Sequence, residues 1–442
     1  MKRKIPMLCR KKVIIFLSFF ILIFSYRLGS CIPKHKNYNI ILITLDALRA
    51  DHLNCYGYKR GTSPFISEFA KDAFIYQRVI AQSGSTMPSL ATVFTSMYAY
   101  ADCALNERDA LGKSYTTIAE FLKKIGYKTY AIVGHGYVKK IFGLARGFDY
   151  YDDNFDKWRN ADEMTTLAIK FLKEGKSHKK FFLWLHYRQP HWPYDPPLKY
   201  REMFYQKKPF NGENQSDVYT IFGKKMTLSK KVISELGDLY DANIRFADDA
   251  LRGLFEYSRE SGLLKNTIII ITADHGESLG EHNIFDHNEL YYGILRVPLI
   301  IRIPEIKGRV VENPVALIDI FPTICELLGY KNAPMLKRFR GKSVFSETKL
   351  QQDLYSEYNN RFSLIVDNFR LFQDANNSYV LYNIADDPYE VDNLVSKESQ
   401  RFDIMKQRMN SLLEHAKSRS YTGKPSLDER TKQNLKSLGY VQ

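Results

Sequence analysis

From Tyr38 onward, short apolar runs alternate with longer stretches in which apolar residues recur at helical intervals. Asn39–Leu45 (NIILITL) is a nearly continuous apolar run that ends in Asp46. Lys128–Val133, Lys180–His186, Thr267–Thr272 and Pro298–Ile303 have the same texture. Runs of this kind predict strands buried on both faces, as in a parallel sheet covered by helices. Between them the pattern predicts a helix over Tyr115–Ile125 before Gly126, and another over Asp319–Leu328, stopped by Gly329. A long helix is expected from Lys230 to Ser261, where Leu236, Tyr240, Ala247, Leu251 and Leu254 form one seam. Alternation of strands and helices argues for an α/β domain with a central mixed or parallel sheet flanked by helices.

Past about residue 335 the texture changes. Asp353–Tyr358, Phe362–Val366 and Tyr379–Tyr382 are short and punctuated by the turn-like Asn-Asn and Asp-Asp-Pro. A smaller C-terminal sheet is expected there, with a helix over Lys397–Ala416 and a polar tail. The expected organisation is a leader over 1–36, a main domain over 37–334, and a subdomain with tail over 335–442.

Composition changes this picture mainly at the N-terminus. A chain of 442 residues that is 45% hydrophobic has ample material for a large core. The formal net charge of +15 points to nucleic acid only until it is located. Residues 1–36 carry nine Lys/Arg and no acid; the remaining 55 basic and 49 acidic residues leave +6. The basicity is largely a targeting feature, the remainder a mild pull toward anionic substrates, and no nucleic-acid-binding motif accompanies it. MKRKIPMLCRKK followed by the apolar run Val13–Tyr26 has the form of a signal-peptide core, short for a spanning helix. Leu28-Gly29-Ser30-Cys31 has the form of a lipoprotein processing box, although Arg27 departs from it; an uncleaved signal anchor is the alternative. Either route places the rest of the chain outside the cytoplasm, tethered or secreted. Beyond the leader, Cys55, Cys103 and Cys325 form no disulfide framework and no metal spacing, so they read as small buried thiols.

In open α/β sheets, ligands gather beyond the carboxyl ends of the strands. Two predicted strands end there in acids: Asn39–Leu45 delivers Asp46, and Thr267–Thr272 delivers Ala273-Asp274-His275-Gly276-Glu277. Carboxylates beside an imidazole suit a hard or borderline divalent metal. A turn residue and a polar loop are the plainer readings of each taken alone. Thr86-Met87-Pro88 opens a helix-compatible run, which puts Thr86 at or near the N-terminus with Pro88 in the first turn. An ordinary capping threonine would look the same. A helix N-terminus and a cation, however, both stabilise an alkoxide.

The stretch LDALRADHLNCYGYKRGTSPFISEFA resembles the N-terminal signature of sulfatases in the alkaline phosphatase superfamily. GYKTYAIVGHGYV, HYRQPHWPYDPP, ITADHGESLGEH, RVPLII, VALIDIFPTICELLG and LYNIADDPYEVDNL resemble later motifs of that family, in order, to the C-terminus. The resemblance implies a catalytic domain on an alkaline-phosphatase-like fold. It implies that Asp46, Asp274 and His275 hold one divalent ion (Ca, Mn, Mg or Zn), with Thr86 at the nucleophile position and touching the metal. It places His191 near the ester oxygens, His287 where sulfatases have a basic residue, and His135 where many members carry lysine. His186 is expected to pack at its strand end, and His282 to sit in a loop or behind the ligands.

Three departures bear on function. Sulfatases carry Cys or Ser in a Cys/Ser-x-Pro-x-Arg pattern and convert it to formylglycine; here the pattern reads Thr86-Met-Pro-Ser-Leu90. Threonine is no substrate for that conversion, Leu90 replaces the arginine, and Ala47 replaces a second aspartate. A threonine nucleophile resembles the phosphoethanolamine and phosphoglycerol transferases of the same superfamily. The expected activity is therefore metal-dependent cleavage or transfer of sulfuric or phosphoric esters, with phospho-ester chemistry favoured and His191 or His287 as general acid. The rivals are a sulfuric ester hydrolase that dispenses with formylglycine, and a non-catalytic glycan-binding protein on the same fold. Substrates of the expected class are sulfated or phosphorylated glycans, glycolipids or lipid headgroups. Trp184, Tyr187, Arg188, Trp192, Tyr194, Tyr200 and Arg201 are candidates to line such a pocket, or else belong to a strand and its packed loop.

Overall fold

The apolar runs do form strands. In the computed structural model every residue of β1 (Asn39–Leu45) is buried. The model describes residues 37–100, 109–174, 180–205, 229–346, 353–417 and, singly, Gln433. The leader with Cys31, Cys103 and the tail beyond residue 417 lie outside the described residues. Among the described residues no helix is long and apolar enough to cross a membrane.

The large sheet contains β1, β2 (Phe74–Tyr76), β3 (Lys128–Val133), β4 (Tyr150–Asp152), β5 (Phe181–Tyr187), β6 (Thr267–Ala273), β7 (Leu299–Arg302) and β8 (Val310–Val311). Their spatial order is β8-β2-β7-β6-β1-β5-β3-β4. β6, β1, β5, β3 and β4 run parallel, and β7 is antiparallel to both of its neighbours, so the sheet is mixed. All residues of β5 and β6 are buried as well, which explains their unbroken apolar runs.

Register then places the chemistry. Leu45 lies opposite both Tyr187 and Ala273, and Thr44 opposite His186 and Thr272. Val133 also lies opposite His186. The residues that follow these strands, Asp46, Asp274 and Gly134-His135, therefore leave the sheet at one edge, beside His186.

The helices form where the periodicity puts them, with boundaries set by capping. α1 (Pro64–Ala70) precedes the fully buried α2 (Thr86–Thr95). α3 (Ile118–Lys124) starts later than Tyr115 because Thr117 caps it. Thr117 Oγ1 accepts from the Glu120 amide at 3.1 Å, and Glu120 returns a bond to the Thr117 amide at 2.8 Å. α4 (Ala161–Lys173) and α5 (Leu198–Phe204) pack against α6 (Lys230–Glu260), whose seam residues Leu236, Tyr240, Ala247, Leu251 and Leu254 are all buried. α7 (Tyr292–Leu295) is a single turn, and α8 (Ile320–Leu327) ends before Gly329, which takes φ 84°. The C-terminal sheet has four antiparallel strands: β9 (Leu354–Tyr358), β10 (Arg361–Val366), β11 (Phe369–Gln373) and β12 (Tyr379–Asn383). β11 is one more than the sequence pattern gives, because the adjacent Leu371-Phe372 in Phe-Arg-Leu-Phe-Gln breaks the alternation. α9 (Ser399–Lys417) follows.

β9 is stitched to the segments flanking α2. Ser356 Oγ donates to the Ala81 carbonyl at 2.6 Å, and the Glu357 amide to the Gln82 carbonyl at 2.9 Å. Glu357 Oε1 accepts from the Tyr100 amide at 2.8 Å and Oε2 from Tyr355 OH at 3.1 Å. Burial pushes the Glu357 carboxyl up to about 7, against an ordinary 4.5. A raised carboxyl stabilises the fold fully below its unfolded value, and that contribution is lost as pH rises through about 7. The whole effect is on the order of 3 kcal/mol for a fully buried group. Thermal unfolding from pH 5 to pH 8 should show a falling midpoint in the wild type and a flatter profile in Glu357→Gln. An unchanged slope in the variant would reject Glu357 as the source.

Candidate active site

Asp46 follows β1 directly, with its amide donating to the Tyr187 carbonyl at 2.9 Å. Ala47 then takes φ 60°, a sharp turn whose amide donates to Asp274 Oδ1 at 3.3 Å and whose carbonyl accepts from Tyr240 OH at 2.7 Å. Tyr240 OH also accepts from the Arg49 amide at 2.9 Å, so α6 pins this turn from below. The Arg49 guanidinium, 4% exposed, donates to the Glu277 carbonyl at 3.0 Å and to Glu281 at 2.7 Å. It ties the loop after β1 to the loop after β6.

Asp46, Asp274 and His275 are all completely buried. Asp274 Oδ1 is used by the Ala47 and His275 amides, whereas Asp46 Oδ1 and Asp274 Oδ2 have no hydrogen-bond donor. His275 Nε2 lies 3.6 Å from Asp46 Oδ1 and 3.7 Å from Asp274 Oδ2. Its Nδ1 lies 2.8 Å from the Gly276 carbonyl, which can only accept, so Nδ1 carries the proton and Nε2 presents a lone pair. Burial first, and then the neighbouring Asp274 charge, push the Asp46 carboxyl well above the ordinary range. Two donor-free carboxylate oxygens and an imidazole lone pair within 4.8 Å of one another fit a divalent cation.

Thr86 is the first residue of α2, after Ser85 in extended conformation, and its Oγ1 lies 3.2 Å from His275 Nε2. Pro88 occupies the first turn, where its missing amide hydrogen costs nothing. Ser89 Oγ, one turn on, donates to the Asp274 carbonyl at 2.5 Å. The approach to α2 is tight: a Cβ on Gly84 would sit 1.9 Å from the Glu289 carbonyl oxygen. Only glycine lets this segment close on the loop before α7. Leu90 is buried in the core.

The structure also gathers imidazoles. His135 Nδ1 lies 3.6 Å and His186 Nε2 3.3 Å from Asp46 Oδ2. His191 is centred 4.9 Å from the His135 ring and 4.8 Å from His287, which is 4.5 Å from His275. His191 Nδ1 donates to the Trp192 carbonyl, and the buried Arg188 guanidinium braces this loop through the His191 and Trp192 carbonyls at 3.2 and 3.1 Å. His287 Nδ1 has Glu277 Oε1 at 3.1 Å and Asp286 Oδ1 at 3.0 Å. Burial holds the imidazolium forms of His135 and His191 well below their ordinary range, and that of His186 down to about 4.

The sequence-predicted residues Asp46, Thr86, Asp274, His275, His191 and His287 are thus brought together. His186 packs, fully buried, at its strand end as expected, and also faces Asp46. Its Nδ1 lies 2.7 Å from Thr44 Oγ1, which accepts from Trp184 Nε1 at 3.0 Å, so the ring is oriented to hold Asp46. His282 stands apart, stacked on Tyr291 at 3.9 Å. Ser89 and Asp286 were not singled out, because neither differs in sequence from an ordinary helix or turn residue. Trp184, Tyr187, Arg188, Tyr194 and Tyr200 are buried; Trp192 and Arg201 are half-buried. Cys55 and Cys325 are free thiols, half-buried and buried.

A family model described as Sulfatase matches residues 38–330. The chain belongs to the sulfatase family. A second model, N-sulphoglucosamine sulphohydrolase, C-terminal, matches residues 280–418. The uncharacterised sulfatase YidJ of Escherichia coli is 26% identical, with 86% of each chain covered. The phosphonate monoester hydrolase of Agrobacterium radiobacter superposes with a TM-score of 0.71 at 18% identity, covering 86% of this chain and 95% of that one. A structure solved with its substrate D-glucosamine-2-N,6-O-disulfate also gives 0.71, at 19% identity over 87% and 98% of the two chains. This sulfatase-family chain is accordingly an enzyme of the alkaline phosphatase superfamily, and enzymes of the family bind a divalent metal.

Cation binding should stabilise the fold, since it neutralises buried like charges; free metal at 100 times its Kd contributes about 3 kcal/mol. Chelation should lower the unfolding midpoint of the wild type. Asp46→Asn removes the repulsion, so its metal-free form should unfold at or above the metal-free wild type and gain nothing on metal addition. A variant still stabilised by metal would place the ion elsewhere.

Proposed function

We propose that this sulfatase-family enzyme cleaves or transfers phosphoric esters, with Thr86 as nucleophile and Asp46, Asp274 and His275 as metal ligands. The observation that carries the reading is Thr86 Oγ1 at 3.2 Å from an imidazole lone pair, beside two donor-free carboxylate oxygens and at the buried N-terminus of α2. A bound divalent ion supplies Lewis-acid stabilisation of the alkoxide and of the ester's non-bridging oxygens. Thr86 Oγ1, its proton given up to solvent water, attacks in line as the alkoxide, forming its own bond to phosphorus as the bond to the leaving oxygen breaks. The α2 amides stabilise the developing negative charge. His287, held between Glu277 and Asp286, is the better-placed general acid for the leaving oxygen. His191, with Nδ1 committed to a carbonyl, leaves its Nε2 lone pair beside His135 and His287. Water or an acceptor alcohol then resolves the threonine ester.

A sulfuric ester hydrolase that needs no formylglycine is the second reading, supported by family membership and by the sugar disulfate held by one neighbour. In either case the substrate class is a sulfated or phosphorylated glycan, glycolipid or lipid headgroup. The basic, apolar leader supports an extracytoplasmic enzyme, lipidated at Cys31 or held by a signal anchor, with its catalytic domain over 37–334.

Turnover of matched nitrophenyl sulfate, phosphate monoester and phosphodiester substrates with Mn, Mg, Ca or Zn decides between these readings. Phospho-ester turnover that falls at least about 1,000-fold in Thr86→Ala is expected. Turnover of the sulfate ester alone would favour the second reading. No turnover and no bound metal would leave a glycan-binding protein on this fold.

A further inference from the structure

Residues 288–295 follow His287 directly and touch both halves of the active site. The Asn288 amide donates to the Gly84 carbonyl at 2.6 Å, two residues before Thr86. The Gly276 amide, next to His275, donates to the Ile294 carbonyl at 2.6 Å. Both approaches leave no room for a side chain: besides the contact at Gly84, a Cβ on Gly276 would lie 2.5 Å from the Gly293 carbonyl oxygen. One short piece of backbone therefore spaces Thr86 from His275.

Two buried side chains of the C-terminal subdomain grip this segment. Arg370 of β11 is fully buried and Glu390 is 3% exposed. The Arg370 guanidinium donates to Ser363 Oγ at 3.0 Å, to Glu390 Oε1 and to the Leu290 carbonyl. Glu390 Oε2 accepts from the Tyr292 amide at 2.8 Å. The ion pair thus takes the Leu290 carbonyl and the Tyr292 amide at once, through a planar fork that lysine lacks. Glu390 takes φ 58°, a region seldom adopted by residues other than glycine. Its carboxylate is turned inward while Tyr389 and Val391 on either side are 64% and 81% exposed. On β10, the half-buried Arg361 adds contacts to Glu289 Oε2 at 2.8 Å and to the Asn288 carbonyl at 3.3 Å.

We propose that Arg370 and Glu390 are positioning residues for the reaction: they act through residues 288–295 to hold Thr86 at its distance from His275. The proposal rests on the reading of Thr86 as nucleophile. A buried ion pair is a weak device for stability, since well-packed apolar residues of similar volume often serve as well. What this pair supplies is direction, because it fixes a backbone carbonyl and a backbone amide that apolar side chains could not hold. Misplacement of a reacting group by about 1 Å can cost about 100-fold in rate, and here a shift of one segment would reach Thr86, His275 and His287 together.

The test uses the full chain at saturating metal, in single turnovers with saturating enzyme in excess over the nitrophenyl ester that the wild type cleaves. A variant whose only fault is a smaller folded fraction keeps the wild-type rate constant under these conditions. Arg370→Lys and Glu390→Gln should each lower it at least about ten-fold. The double variant should lose no more than the worse single variant, because both side chains act on one segment. Arg361→Gln, at a half-buried position, should lower the rate constant at least about two-fold, which keeps the test readable should the buried variants misfold. Unchanged rate constants, with the unfolding midpoint alone reduced, would overturn the proposal and leave the chemistry of Thr86 intact. Losses that multiply in the double variant would overturn the shared clamp. No turnover by the wild type would overturn the proposal and the reading it rests on together.

Discussion

Two carboxylates are held side by side, fully buried, at the ends of adjacent parallel strands. The register that pairs Leu45 with Ala273 makes Asp46 and Asp274 neighbours before any side chain chooses a rotamer. Like charges at this depth repel in a medium that screens them poorly, which is why burial and Asp274 together raise the Asp46 carboxyl. The surroundings oppose their separation. Arg49 ties both loops, Tyr240 fixes the turn at Ala47, and Ser89 holds the Asp274 carbonyl. A cation held between such oxygens would turn the repulsion into attraction.

Thr86, the nucleophile of the proposed reaction, is positioned in a different way. Thr86 does not come from a strand end but from the first turn of a helix that is buried along its whole length. Burial of the helix leaves its amino-terminal partial charge unscreened by solvent where Thr86 stands. Its position depends on the close approach at Gly84 and on β9, which bonds to the segments on either side of α2. The C-terminal sheet therefore contributes to the site without supplying a residue to it.

Imidazole dominates the remaining chemistry. His135, His191, His287 and His275 form a row of neighbouring rings, with His186 behind Asp46. Their ring nitrogens bring lone pairs and transferable protons to the centre. His287 stands between two carboxylates, Glu277 and Asp286.

By itself the sequence determined the central strands, the long helix and the residues at their ends. Unbroken apolar runs are written into a strand that is covered on both faces, and a buried seam is written into α6. Asp46, Asp274, His275 and Thr86 were legible because each follows or opens such an element. Tertiary structure alone decided that β7 runs antiparallel, that β11 exists as a strand, and that Trp184 and Tyr187 belong to the core. It alone decided that His135 and His186 converge on the second oxygen of Asp46. Periodicity reports which face of one segment is covered, but the register between segments distant in the chain is set by packing. A histidine at a strand end reads the same whether it meets a leucine or a carboxylate.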